Sequence, residues 1–582
     1  MKRFPFFDCS LLLLLGFIPT LSFAQTISLR IIGTSDVHGN YLDYDYLSGT
    51  RGKGGLARVA TYVRQQREAL GADHVVLVDN GDILQGQPAA YYYNFVDTKS
   101  EHLCASVLNA LNYDVGVPGN HDIETGHAVY DRWASQCNHP IVCANVTDTR
   151  LGNPYWQPYT IVQRGKVRIA VVGLLTPTVP KWLPAELWSG MAFEDMAQTA
   201  RRYVAEIKDK QLADVIIGVF HSGMGDAADE GSMIENASQQ VARLVPGFDL
   251  IICGHDHRAA VRRVTYAPGK NVLVLNPGAG ASNVAVADIT LERRSRQWKV
   301  VNVSGNLVDV GHLPPDRDFV QTFEKQHRAL LAYIEKPVVT IDTTITTRDA
   351  FWGANAFVDL IHRLQLRLTQ ADISFAAPLS FDAVLKEGTL CVRDMFQLYR
   401  YENRLYTMQL SGDEIVRYLE KSYDGWVRTM SAPTDTMLRF RPHPQTYKEG
   451  WQRLATSSYN FDSAAGIYYT VDLRKGKGER VHIERLTDGR TFCKDSLYVV
   501  AVNSYRANGG GDLLTEGAGI AKSELPARIL SASTHDLRHY MMAYLQRVEG
   551  TLHLEPLRHW RFVPEEWARE AQSREKSLLF PQ

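Results

Sequence analysis

The chain has 582 residues, 45% hydrophobic and 22% charged. That is ordinary globular material, too long for one core and suited to two domains. Lys plus Arg number 63 against 64 Asp plus Glu, so no global field draws the protein to nucleic acid or anionic lipid, and the expected partners are small molecules.

Met1-Lys2-Arg3, the apolar stretch Leu11 to Ile18 and Ser22-Phe23-Ala24 read as a secretory signal cleaved after Ala24. The apolar stretch is short for a bilayer span, and Cys9 precedes it, where a lipoprotein cysteine would not lie. The expectation is a chain with no stable membrane anchor, exported across the inner membrane to a periplasmic or extracellular location. Of the cysteines beyond the leader, Cys137 and Cys143 are the expected disulfide pair by proximity, and Cys253, inside a predicted strand, is expected to be a free packed thiol.

From Thr26 to about Val310, short β-branched runs alternate with amphipathic stretches, which predicts an α/β layered domain. Ile27–Ile32 runs into Asp36 and His38 of TSDVHG. A helix over Leu56–Leu70 precedes the strand Val75–Val78, which feeds Asp82 of DNGD. GNHD, with Asn120 and His121, is the one signature without an apolar run directly before it. A strand over Val167–Leu174 and a helix over Ala197–Leu212 lead to Val215–Phe220, which feeds His221, and Leu250–Cys253 feeds His255 and His257 of GHDH. Asn271–Leu275, Asn283–Leu291 and Trp298–Val303 follow as more hairpin-like strands.

After Pro314-Pro315 a charged stretch predicts a connecting helix over Phe319–Ile334, followed by Lys336-Pro337 and a threonine-rich β run. The second domain begins near Thr344, with a helix over Asn355–Leu368 and, later, the YNFD segment holding Tyr459 and Phe461. Tyr468 and Tyr469 follow strand alternation and are expected in the core. Near the C-terminus, Asn503, Tyr505 and Arg506 run into Gly509–Gly511 and Asp512. Such a turn lets backbone approach a flat ligand closely, and Tyr505 offers its face to a base, although a glycine-rich loop with one Tyr is more often only a turn.

The five signatures in the first half are expected to converge, because ligands gather beyond the carboxyl ends of strands in open sheets. Two divalent ions about 3.5–4 Å apart need one bridging carboxylate, with neutral imidazoles and oxygen donors around them. Asp82 is the candidate bridge. Asp36, His38 and His257 would complete one ion, and Asn120, His221 and His255 the other. This N and O donor set suits Mn, Zn, Co or Fe and argues against an all-oxygen calcium cage. Gly119 would allow the close backbone approach that the site needs.

The order Asp-x-His, Gly-Asp, Gly-Asn-His-Asp, His, Gly-His-x-His resembles the calcineurin-like metallophosphoesterase superfamily, and nearly the whole mature chain resembles its periplasmic 5′-nucleotidase and 2′,3′-cyclic phosphodiesterase branch. The resemblance implies an α/β fold: a four-layered N-terminal domain of two β-sheets flanked by helices over 25–315, a linker helix and connector over 316–343, and an α/β substrate-binding domain over 344–582, after a signal peptide over 1–24. It implies that His121 is a catalytic group rather than a ligand; Glu124, three residues beyond His121 and at a place where relatives often have Asp, is the expected holder of its imidazole. The resemblance also implies that two aromatics sandwich the nucleotide base. Tyr505 matches one of these by motif, and Tyr459 or Phe461 is the other; Asn503, Arg506 and Asp512 join the substrate site.

Many 5′-nucleotidases of that branch carry Asn-Gly-Gly-Gly-Ile-Arg where this chain has Ser374-Phe375-Ala376-Ala377-Pro378-Leu379. That form is similar to the 2′,3′-cyclic-nucleotide 2′-phosphodiesterase/3′-nucleotidase subgroup, in which hydroxide generated at the metal pair attacks in line while His121 assists the leaving group. Arg393, Arg400 and Arg404 are further candidates for phosphate contact. The alternatives are a 5′-nucleotidase with or without UDP-sugar hydrolase activity, a thiosulfohydrolase-like enzyme, and a nucleotide-binding protein without catalysis.

Overall fold

The computed structural model describes residues 25–294 and 297–581; the expected signal peptide over 1–24, with Cys9, lies outside them. The first half holds β1 (Thr26–Thr34), β2 (Val75–Asp79), β3 (Val115–Gly116), β4 (Tyr159–Arg164), β5 (Val167–Leu175), β6 (Val215–His221), β7 (Leu250–Cys253), β8 (Ala260–Ala267), β9 (Lys270–Asn276), β10 (Asn283–Arg294) and β11 (Gln297–Asp309). One sheet has the order β11, β10, β1, β2, β3 and the other β8, β9, β7, β6, β5, β4. β1, β2 and β3 run parallel, as do β5, β6, β7 and β9, so the strands that feed the signatures end at a common edge of each sheet.

Side-chain alternation explains why the sheets stack. Leu29 and Ile31 of β1 and Val76 and Val78 of β2 share one core with Val215, Ile217 and Val219 of β6. The intervening Ile32, Val75 and Leu77 pack instead with Leu56, Val59 and Val63 of α1 (Leu56–Leu70). On the far side, Ile216 and Phe220 meet Ala200, Val204 and Ile207 of α3 (Met196–Asp209); the short α2 (Asn120–Glu124) lies between them in sequence. Strands buried on both faces read as unbroken apolar runs, and two such sheets between helices give four layers.

The expected single helix over Phe319–Ile334 is two helices, α4 (Arg317–Thr322) and α5 (Glu324–Ile334), broken at Phe323. Asp316 caps α4 through the amide of Phe319. The rings of Phe319 and Phe323 lie 5.0 Å apart and are both buried, and the break lets α5 bury Leu330, Tyr333 and Ile334 in a core that takes in residues of both halves. Pro337–Ile341, placed in the connector by the sequence, pairs with Gly388–Cys391 and with Thr551–Leu552, so the sheet structure of the second half begins before residue 344.

In the second half, α6 (Ala356–Thr369) starts at its cap Asn355, and β12 (Ile373–Ala376), β13 (Arg404–Ser411), β14 (Ser463–Ala465), β15 (Leu497–Asn503) and β16 (Ile529–Asp536) form a sheet in the order β14, β12, β15, β13, β16. The expected Cys137–Cys143 disulfide is corrected: both are free thiols, with Cys143 Sγ buried and directed at Asn145 Oδ1, 3.7 Å away. Cys253 is free and buried. Among the described residues no helix is long and apolar enough to cross a membrane.

Ile217 is fully buried between the sheets. Ile217→Ala is expected to destabilise the first half by about 2–5 kcal/mol, read as a lower urea midpoint at unchanged slope.

Candidate active site

The loops after β1, β2, β3, β6 and β7 bring the seven expected ligands together. Donor atoms of Asp36, His38, Asp82 and His257 lie within 4.8 Å of one another, and so do those of Asp82, His221 and His255. Asp82 belongs to both groups. His38 Nε2 and His257 Nε2 face each other at 2.9 Å, His257 Nε2 is 3.3 Å from Asp36 Oδ1, and His221 Nε2 is 3.1 Å from Asp82 Oδ2 and 3.2 Å from Asn120 Oδ1.

These residues fit a pair of cations. Asp82 Oδ2 is buried with no hydrogen-bond donor aligned on it, a costly state for a carboxylate unless a cation takes the position. Burial pushes His38 down to about 3, so it is a neutral imidazole with a lone pair free. His38 Nδ1 lies 3.1 Å from Gln85 Oε1, and His221 Nδ1 lies 2.6 Å from the Asn80 carbonyl. Both contacts turn Nε2 toward the cluster, the usual way a ligating ring is oriented. His255 Nε2 is 3.1 Å from Glu235 Oε1, which leaves Nδ1 as its free ring nitrogen.

The backbone is bent to achieve this. Asp36, His38, Asp82, His255 and His257 all have left-handed φ, from 49° to 74°, a conformation that L residues adopt at a cost and that clusters at functional sites. The carboxylate of Asp122 holds the Asp82 loop in place, accepting from the amides of Asp82, Ile83, Leu84 and Gly119 at 2.7–2.9 Å. A Cβ on Gly119 would collide with the Asp82 carboxylate, and one on Gly254 with Ser35 and Asp36. Asp122, Gln85 and Asn80 are supporting residues that the signatures contain or flank but do not mark, and Glu235 is one that lies apart from every signature.

His121 stands beside the cluster. Its amide donates to Asp82 Oδ1 at 2.8 Å, and its Nδ1 is 2.5 Å from Glu124 Oε2, leaving Nε2 open. Burial alone would lower its pKa, but Asp82, Glu124 and Glu402 outweigh that and hold it up to about 10. Glu402 comes from the second half, where Arg538 Nη2 donates to its Oε1 at 2.6 Å. A cavity of about 470 Å³ opens at this junction, lined by Tyr91, Glu124, Tyr333, Glu402, Arg404 and Asp536 among others.

The expected substrate residues divide. Phe461 is corrected to a core residue: it is 1% exposed, and its ring stacks on Trp426 at 4.4 Å. Tyr459 is 38% exposed and lies edge-on to Tyr401, centroids 6.3 Å apart; Tyr505 has both as electrostatic neighbours. Tyr401 also has Glu124 as an electrostatic neighbour, so of these three tyrosines of the second half it is the one that reaches the His121 dyad. Tyr401 was not a candidate, because nothing in YRYEN marks it. Asn503 Oδ1 accepts from the Arg506 amide at 2.9 Å and caps a short helical turn, and Arg506 is 2% exposed. Arg506 is thereby corrected from a substrate contact to an internal support, while Asn503 stays partly exposed. Asp512, at φ 59°, remains at the end of the turn. The glycines also serve the interior: a Cβ at Gly510 would strike the Tyr505 ring, and one at Gly511 the Arg506 guanidinium. Tyr469 is buried, as expected, whereas Tyr468 is only half-buried. Arg393 and Arg404 are engaged by Glu335 (3.1 Å) and Glu186 (2.6 Å).

The calcineurin-like phosphoesterase family matches residues 29–259, and the C-terminal domain of 5′-nucleotidases matches residues 333–516. The 2′,3′-cyclic-nucleotide 2′-phosphodiesterase/3′-nucleotidase of Haemophilus influenzae is 27% identical over 92% of this chain and 88% of its own length. A trifunctional nucleotide phosphoesterase of Bacillus subtilis is 28% identical over 84% of this chain, which spans only 36% of that relative. Among solved structures, a Staphylococcus aureus protein assigned as a 5′-nucleotidase superposes with a TM-score of 0.74 at 22% identity, covering 92% of this chain and 100% of that one, which establishes likeness of fold.

Gly119→Ala is expected to lower bound metal, measured by elemental analysis, at unchanged far-ultraviolet circular dichroism; full metal occupancy would show that Gly119 is not needed to shape the site. In chelator-treated protein, His121 is expected to stay protonated through neutral pH. Because its folded value is raised from 6.5 to about 10, the stability it adds is complete below 6.5 and is lost as pH rises through 10. Its ring signals in nuclear magnetic resonance should therefore not titrate between about pH 6 and 8.

Proposed function

Because the chain belongs to the calcineurin-like phosphoesterases that carry a 5′-nucleotidase C-terminal domain, and is thus a phosphoric ester hydrolase, we propose that it hydrolyses 2′,3′-cyclic nucleotides to 3′-nucleotides and then removes the 3′-phosphate. The observation that carries this reading is the position of the His121–Glu124 pair, with the metal donors on one side and Tyr401, itself grouped with Tyr459 and Tyr505, near Glu124. A phosphoester in this cleft would have its phosphate at the donors and its nucleoside against the rings. The Haemophilus relative bears that activity in its name and aligns over most of both chains, which supports the same choice. Export through the Met1–Ala24 leader completes the proposal.

In this reading Asp36, His38, Asp82 and His257 hold one divalent ion and Asp82, Asn120, His221 and His255 the other, with Mn, Zn, Co or Fe compatible with the donors. The ions would supply charge that polarises the phosphoryl oxygens and acidifies a water. Glu124 fixes the ring of His121, whose Nε2 gives its proton to the departing oxygen. In the cyclic substrate this is the ribose 2′-oxygen, and the phosphate stays on the 3′-oxygen until the second cycle. Tyr505, with Tyr459 or Tyr401, stacks the base, a contact that tolerates any base.

Turnover of 2′,3′-cyclic AMP, 3′-AMP, 5′-AMP and UDP-glucose after loading with Mn²⁺, Zn²⁺ or Co²⁺ tests the proposal. The first two are expected to be preferred; a preference for 5′-AMP would make the enzyme a 5′-nucleotidase, and failure on all four would remove the nucleotide reading. His121→Ala is expected to lower turnover by about 10²–10⁴-fold at unchanged metal content, and loss of metal would make His121 a ligand instead.

A further inference from the structure

The segment that carries Tyr459 and the turn that carries Tyr505 are far apart in sequence and meet through one buried side chain. Arg506 Nε donates to Asp462 Oδ2 at 3.1 Å, and Nη2 donates to Asp462 Oδ1 at 2.8 Å and to the Tyr459 carbonyl at 2.7 Å. Nη1 donates to Asn460 Oδ1 at 3.0 Å and to the Gly510 carbonyl at 2.9 Å. All five N–H groups of the guanidinium are engaged. Asn460 Oδ1 also accepts from the Tyr505 hydroxyl at 3.4 Å, and the Asp462 carboxylate accepts from the Tyr418 hydroxyl at 2.5 Å.

The pair is deeply buried, with side-chain exposures of 2% for Arg506 and 3% for Asp462. A buried ion pair adds little net stability compared with apolar residues of the same size, so its presence is better explained by the geometry it fixes. Here that geometry is the separation of two tyrosines. The fork grips the Tyr459 segment at a carbonyl, an amide oxygen and a carboxylate, and grips the Tyr505 turn at Gly510, where the absence of a Cβ leaves room for the Tyr505 ring. Lysine could keep the charge but could not span four acceptor groups in one plane.

We propose that Arg506 is a positioning residue that sets the width of the base-stacking slot by fastening the Tyr459 segment to the Tyr505 turn; this rests on the nucleotide reading of the site. It touches neither phosphate nor base. Its effect should therefore appear with substrates that carry a base and vanish with substrates that do not.

The test compares 3′-AMP with p-nitrophenyl phosphate in Arg506→Lys, in the milder Asn460→Ala, and in Tyr505→Ala. Arg506→Lys is expected to raise KM for 3′-AMP by about tenfold, and Asn460→Ala to raise it less, while kcat/KM for p-nitrophenyl phosphate stays within about twofold. Unchanged KM for 3′-AMP in both slot variants, with Tyr505→Ala raising it, overturns the role of Arg506 alone. Equal losses on both substrates accompanied by a lower Tm also overturn it, because they mark a structural residue. If Tyr505→Ala itself leaves KM for 3′-AMP unchanged, the stacking reading fails and takes this proposal with it.

Discussion

The first half is organised around one buried carboxylate whose charge is answered by the imidazoles packed around it. Asp82 is fully buried, one oxygen takes the His121 amide, and the other faces His221 without an aligned donor. Burying such a group is tolerated only if positive charge completes its surroundings. The loop around it is correspondingly over-determined: the four amides held by Asp122 offset the left-handed backbone of Asp82, and the stacked sheets fix the ends of the strands from which the neighbouring ligands spring. Strain at five ligand positions is sustained because the surrounding core leaves no alternative arrangement.

The second half contributes to the same cleft by a comparable device. Two buried arginines each hold a tyrosine-bearing loop through backbone carbonyls: Arg506 holds Tyr459, and Arg538 Nη1 donates to the carbonyls of Tyr399 at 3.0 Å and Arg400 at 3.2 Å. Arg538 thereby sets Tyr401 and Glu402 against the dyad of the first half. Its guanidinium lies 4.5 Å from the Tyr91 ring centroid and 3.9 Å from that of Phe396, and the Tyr91 hydroxyl donates to Asp536 Oδ2 at 3.1 Å. The packing that joins the halves is therefore the packing that aims the second half's side chains at His121.

Much of this was legible in the residues, because metal donors must be particular types and apolar runs must precede them. The helix Leu56–Leu70 and the strand Leu250–Cys253 have the boundaries read from the sequence, since buried periodicity and flanking Gly or Asp leave little freedom. β3, Val115–Gly116, is too short to register as a run, so the signature it feeds stood without a strand. The break at Phe323 was hidden by a continuous helical pattern, as two rings drawn into one core leave no mark in composition. The interior place of Arg506 escapes the sequence for a deeper reason. A charged residue next to a Gly-rich turn has the same sequence whether it faces a ligand or lies beneath the turn, and only the position of Asp462 decides between the two.

The same dependence on partners governs the proton on His121. In the metal-free chain three carboxylates, those of Asp82, Glu124 and Glu402, overcome burial and keep the imidazolium protonated to about 10. Asp82 is the largest of these influences and is also the residue shared by both donor groups. A cation held by Asp82 would offset its pull on His121 and leave Glu124 and the Arg538-paired Glu402 as the remaining carboxylate partners. Glu124 holds the orientation of the His121 ring through Nδ1 in the same arrangement.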